Sequence, residues 1–233
     1  MPSRRFQKFA SIFAIFAFFT ANVSTFMALV ATKFNMDIFL YPGIMLTELA
    51  GKGYIAKYST ILDMFGFYLP LIPLVLMLYW WLRKKDYEFV TLATICGLAY
   101  CLLGALGAAV GSSSISAQMN YYASATVQMK DVHHAIFILL NDFVEHGVWA
   151  SLDTFLAGTW LIVINNFLRK ERKAIGWFGI ITGAFYSCYG IGEITGLKYL
   201  GMIGLSVYLL LTPIWAASVG ISVLRKPIIN EEK

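Results

Sequence analysis

Apolar residues in this chain come in long runs rather than in alternation. Six stretches, residues 9–31, 54–82, 89–111, 147–168, 175–194 and 199–224, are each long and apolar enough to cross the ~30 Å hydrocarbon core of a bilayer as a helix. The pattern predicts an all-α integral membrane protein: one domain over residues 1–233, with six transmembrane helices. The first run exceeds the about 7–15 apolar residues of a signal peptide, so it reads as an uncleaved first span. Pro70 and Pro73 should kink the second span. Gly97, Gly104, Gly107 and Gly111 stud the third, where a neighbouring backbone can come close.

Two connections are long. Residues 33–58, with the turn signals Asp37, Pro42-Gly43, Glu48 and Gly51-Lys52-Gly53, and residues 112–146 are expected to be structured outer loops. Residues 133–168 are too many for one perpendicular span, so an interfacial helix to about His146 is expected to lead into the fourth span.

Charge then orients the spans. With the N-terminus inside, the inner segments hold Arg4, Arg5, Lys8, Arg83, Lys84, Lys85, Arg169, Lys170, Arg172, Lys173, Arg225, Lys226 and Lys233. The outer ones hold only Lys33, Lys52, Lys57, Lys130 and Lys198. Thirteen against five predicts that both termini are cytoplasmic. The expected location is the plasma membrane, multi-pass, with a bacterial inner membrane as its setting. Only 13% of residues are charged, against about 25% in a soluble domain, so lipid is the solvent. The net charge of +5 is spread over short groups between apolar runs, which argues against nucleic acid as a partner. The partners expected are the bilayer and, further, other membrane subunits or a homo-oligomer. Cys96, Cys101 and Cys188 lie in apolar runs and predict no disulfide framework.

A weak internal echo relates two helical hairpins, spans two and three against spans four and five. Leu62-Asp63-Met64-Phe65 resembles Leu152-Asp153-Thr154-Phe155, and Leu82-Arg83-Lys84 resembles Leu168-Arg169-Lys170. Ile95, Gly97, Tyr100 and Gly104 then match Ile181, Gly183, Tyr186 and Gly190 at a constant offset of 86. A parallel repeat about an axis along the membrane normal would have this form. Chance is the competing reading, because apolar helices use a small alphabet and the alignment needs a gap.

Ionisable residues beside or within apolar spans are costly unless used or paired. Here they crowd the outer end. Asp142 and His146 stand one helical turn apart on a face that Trp149 and Asp153 continue, with Glu145 one position off it. Asp142, Glu145, His146, His133 and His134 are candidate ligands for a divalent metal held by N and O donors, although the spacing is no known zinc signature. Asp153, Asp63 and Glu193 are candidates for a cation or proton site. The bland alternatives are that Asp142 and His146 form a hydrogen-bonded pair at the start of span four, that Asp63 and Asp153 are early-turn acids favoured by a helix dipole, and that Glu193 pairs with Lys198. Tyrosines and tryptophans near the span ends read as interface anchors.

No nucleophile elbow, phosphate-binding glycine loop or C-x-x-C is present, so the reading leans away from an enzyme. The expected function is a polytopic membrane protein whose outward-facing Asp/Glu/His cluster binds a metal ion, a cation or a partner subunit, as an accessory subunit of a membrane complex. A small-solute or cation transporter is the alternative, and a metal-dependent membrane enzyme the second.

Overall fold

Lipid offers a backbone no hydrogen-bonding partner but itself, so apolar runs of this length must close their own ladders as helices. The computed structural model describes residues 2–35 and 41–228; Asp37 and Lys233 lie outside them. Seven helices follow one another, α1 Arg4–Ala31, α2 Pro42–Glu48, α3 Gly53–Leu82, α4 Tyr87–Ser124, α5 Val127–Leu168, α6 Lys173–Thr195 and α7 Lys198–Arg225. All but the short α2 are long and apolar enough to cross a membrane, and no strand occurs among the described residues.

Local chemistry sets several boundaries. The Ser3 hydroxyl caps α1 by accepting from the Phe6 N–H, and Asp86 caps α4 through the Phe89 N–H. Gly196, at φ 72°, closes α6 in the left-handed conformation. Pro70 has no N–H to give, and the helical ladder of α3 breaks at Leu69–Pro70, while Pro73 lies in the first turn of the stretch that resumes at Leu71. An i→i+5 segment, Met64–Tyr68, lies just above the break.

Each long helix packs against the next in the chain, and α7 closes the ring against α1. The α1–α7 contact is built from small residues. Ala10, Ala14, Ala17 and Ala21 recur on one buried face of α1, while Phe9, Phe16, Phe19 and Phe26 are exposed on the other, where lipid is their natural solvent.

Residues 112–146, expected as a structured outer connection with an interfacial helix, are the ends of α4 and α5 and the short turn between them. α4 has 38 residues and α5 has 42, or about 57 and 63 Å at ~1.5 Å per residue, so their joined ends stand well above a ~30 Å core. Serines do not interrupt α4 because Ser112 and Ser113 donate to the Ala109 carbonyl and Ser116 to that of Ser112. Leu46, Leu49, Ile115, Met119, Phe137 and Val144 form a separate small core where α2 leans on the hairpin. The expected interfacial helix and fourth span are one continuous helix.

At the opposite end the residues just before α1 and just after α7 meet two charged turns. Lys85 pairs with Glu171, Arg172 donates to the Lys226 carbonyl at 2.8 Å, and the Arg172 guanidinium lies over Trp81. Gln7, 4% exposed, donates to the carbonyls of Pro2 and Ile228 and accepts from the Ile228 N–H. Gln7→Ala strands three buried backbone groups, so it should cost about 1–3 kcal/mol. Thermal unfolding and faster proteolysis beyond Arg225 would register that loss.

Candidate functional site

The ionisable residues flagged by the sequence fall into three places. His133 and His134 sit near the top of α5, where His133 Nδ1 bonds Gln118 Oε1 at 2.9 Å and His134 Nε2 faces Gly43. They are about 18–20 Å above His146 along the helix, too far to share a ligand with it. A rim follows where α5 meets α6. His146 Nδ1 lies 2.5 Å from Glu193 Oε1, and Asp142 Oδ1 is 3.9 Å from His146 Nε2. The expected Glu193–Lys198 pair is replaced by the histidine, and Lys198 instead stands over the Tyr41 ring. Glu145 is half-buried and within electrostatic reach of His146, Glu193 and Asp63.

Asp153 is elsewhere. The sequence reading put it on one stripe with Asp142 and His146, but those two are half in solvent, with side chains 51% and 53% exposed, while Asp153 is 0% exposed. The cause is the winding of α5. The eleven residues Phe143–Asp153 bond i→i+5, turning the chain by about 82° per residue instead of 100°, so the face has drifted by roughly 200° over that length. Among the described residues no three His, Cys, Asp or Glu side chains gather as a metal ion would need, and the candidate metal set Asp142, Glu145, His146, His133 and His134 is not brought together.

What surrounds Asp153 is aromatic. Tyr68, Tyr100, Tyr186 and Tyr208 are all buried, one each from α3, α4, α6 and α7, and all four are within electrostatic reach of its carboxyl. The Tyr68 ring fits only because residue 104 is glycine, since a Cβ there would lie inside the ring. The Tyr186 and Tyr208 rings stack with centroids 3.5 Å apart, and Trp160 packs on both Tyr100 and Trp215. Because a carbonyl only accepts, the Tyr100 hydroxyl must donate to Phe67 O at 2.7 Å, and Tyr208 then donates to the Tyr100 oxygen at 2.6 Å. Both protons are thereby committed away from Asp153. Tyr68 is the hydroxyl beside the carboxyl, yet neither Asp153 oxygen completes a hydrogen bond. Trp160 Nε1 and Thr212 Oγ1, in the same cluster, are also buried without partners.

Tyr100→Phe should cost about 1–3 kcal/mol, because the buried Phe67 carbonyl loses its donor. Tyr208→Phe removes only a donor to a hydroxyl oxygen and should cost less. Thermal unfolding of the pair reads the difference.

Below Asp153 the bundle is packed and mostly apolar. Leu74, Met77, Leu78, Leu82, Leu161, Ile164 and Leu168 are wholly buried, and the polar pair among them satisfies itself, Trp215 Nε1 donating to Asn165 Oδ1 at 2.9 Å. Asp63 is half-buried above, within reach of both Glu145 and Asp153. The arrangement is thus graded: exposed ionisable groups at the rim, half-buried carboxylates beneath, then one buried and unpartnered carboxyl. Against known proteins the chain matches no family model, no curated protein and no solved structure.

Proposed function

We propose that this is a polytopic membrane protein that binds a small cation at Asp153, reached from the rim of His146 and Glu193. One observation carries the reading: a carboxyl group in a protein interior with both oxygens unpartnered. A bare anion there costs several kcal/mol, so it needs a positive partner. Among the described residues no ion pair supplies one. A proton, an alkali cation or a small ammonium would meet the need. The packed apolar half beneath supports a site open on one side over a through-path. In this reading the basic end faces the cytoplasm and the rim faces out, in a plasma membrane. The hairpin duplication belongs to the same proposal, with Tyr100 and Tyr186 as equivalent walls of the site.

The test is thermal unfolding of purified protein across pH and across sodium, potassium and ammonium salts. Binding at a hundred times Kd adds about 2.7 kcal/mol, so wild type should gain stability with one of these variables while Asp153→Asn gains none. Equal responses from the two would overturn the reading.

A partner-binding role has its own observation. Met129, Val132, Ile136, Leu139 and Phe143 are exposed on α5 at alternating spacings of three and four, the seam of a coiled coil. They lie more than about 30 Å above Arg169, out of the hydrocarbon core. Lys130, Asp131 and Asp142 stand off the stripe, so two copies held parallel by one bilayer can meet along it without like-charge contact. Leu139→Cys should then cross-link copy to copy in membranes, and no cross-link would remove this second reading.

A further inference from the structure

We infer that a cleft between the first turns of α1 and the last turn of α7 seats the phosphate of an anionic phospholipid on Arg4 and Lys8. It lies at the basic end of the bundle and does not depend on the cation site at Asp153.

The cleft follows from how the two terminal helices meet. Gly220 lets α7 close on α1, since a Cβ there would lie 2.8 Å from the Ser11 carbonyl oxygen. One turn farther along α7, Val223 and Leu224 face Arg4, Gln7 and Lys8 across about 250 Å³ of space that is partly open to solvent. That is several times the ~30 Å³ one water occupies in the liquid. Pro227 also lines the cleft, folded back because Gln7 holds Ile228, donating to its carbonyl at 3.1 Å and accepting from its N–H at 2.9 Å.

Gln7 is thereby committed to the backbone, which leaves two cations to meet a ligand. Arg4 and Lys8 stand at i and i+4, so they share one face of α1. Both are exposed, and among the described residues neither pairs with a carboxylate. Nearby acids serve other groups: Lys85 takes Glu171, and Asp86 caps α4. A guanidinium offers two parallel N–H donors to an oxyanion, and an ammonium one turn away adds a point charge.

Depth selects a lipid as the source of the phosphate. The apolar run 9–31 starts directly after Lys8, and the run 199–224 ends at Leu224. The cleft therefore sits where hydrocarbon gives way to headgroups. Its walls continue toward the hydrocarbon as apolar surface. Ile12, one turn beyond Lys8, and Ile221, one turn before Leu224, are 59% and 41% exposed. An acyl chain can cover that surface while its phosphate stays with the cations, whereas a soluble phosphate would leave it bare. The headgroup should be net anionic, because a zwitterionic one brings its own cation to compete with Arg4 and Lys8.

The test uses the purified full-length chain, stripped of lipid in detergent, with bound lipid counted by native mass spectrometry. Phosphatidylglycerol, phosphatidylcholine and glycerol phosphate are the probes. One phosphatidylglycerol should bind per chain about tenfold more tightly than phosphatidylcholine, and glycerol phosphate should not displace it. A cation at an anionic lipid surface contributes about fivefold to binding, so Arg4→Gln and Lys8→Gln should each lose that factor and the double variant roughly 25-fold. Arg5→Gln removes the same charge from the same turn but outside the cleft, and should lose little. Phosphatidylglycerol should also raise the melting temperature of wild type and of Arg5→Gln, because it ties α1 to α7, and leave that of the double variant unmoved. Equal losses in Arg4→Gln and Arg5→Gln would overturn the cleft in favour of a general attraction to the basic end. Equal affinity for the two lipids, or displacement by glycerol phosphate at matched concentration, would overturn the anionic lipid as its occupant.

Discussion

Asp153→Leu should melt about 4–8 °C above wild type while abolishing cation binding. Both side chains branch at Cγ and carry four heavy atoms, so the aromatic wall of Tyr68, Tyr100, Tyr186 and Tyr208 has only the larger size of two methyl groups to accommodate. What changes is solvation. Replacing buried charged groups by apolar residues of similar size is often stabilising by about 1–4 kcal/mol. Asp153, with neither oxygen hydrogen-bonded, has more to gain than a well-paired ion. A gain near 2 kcal/mol corresponds to that shift for a chain of this length, at about 2–4 °C per kcal/mol. Thermal unfolding in detergent, beside the cation titration, checks both halves. A lower melting point for Asp153→Leu would mean that the carboxyl is structural, and the case for a retained functional cost would fall.

The second large effect is at Gly204, and even alanine should produce it. A Cβ at this position of α7 would lie 2.6 Å from the Phe185 carbonyl oxygen and 2.6 Å from the Tyr189 nitrogen, both backbone atoms of α6. Backbone cannot swing aside as a side chain does, so the two helices must separate. Separation undoes the Tyr186–Tyr208 stack one turn farther along α7. Overpacking of this kind costs about 1–3 kcal/mol, occasionally more, and here it should reach the upper end. Gly147→Ala is the control: its Cβ would meet nothing nearer than 3.9 Å, and the loss of glycine from a helix should stabilise by roughly 0.5–1 kcal/mol. Chromatography of detergent extracts and thermal unfolding should separate the two variants in opposite directions.

The spans were readable in the sequence because lipid imposes one rule, a long apolar run that bonds to itself, and 9–31 or 199–224 can obey it in only one way. The ionisable residues were readable for a related reason, since charge near lipid is costly wherever it falls. Their faces were not. Reading Asp142, His146 and Asp153 as one stripe assumes 3.6 residues per turn, and the i→i+5 winding of Phe143–Asp153 breaks that assumption without any proline to announce it. The serines of 112–116 mark a polar connection in the sequence, and what composition does not show is that their hydroxyls bond back onto a helix that runs through them. The tyrosine wall also leaves a signal in the sequence. Tyr100 lies about 17 Å along the helix from Phe89, half-way through a ~30 Å core, where an interface anchor has no interface. Tyr186, 86 residues on, stands equally far from Ile175.

The closing of the ring by α1 and α7 has a consequence for how the molecule is made. α1 emerges from the ribosome before α7, its neighbour in the ring, so its alanine face must wait, uncovered among lipids, until α7 has been made. Assembly can proceed hairpin by hairpin, but the enclosure around Asp153 is complete only when Tyr208 arrives. A nascent chain released before α7 would therefore be membrane-inserted yet open on one flank, a natural mark for quality control.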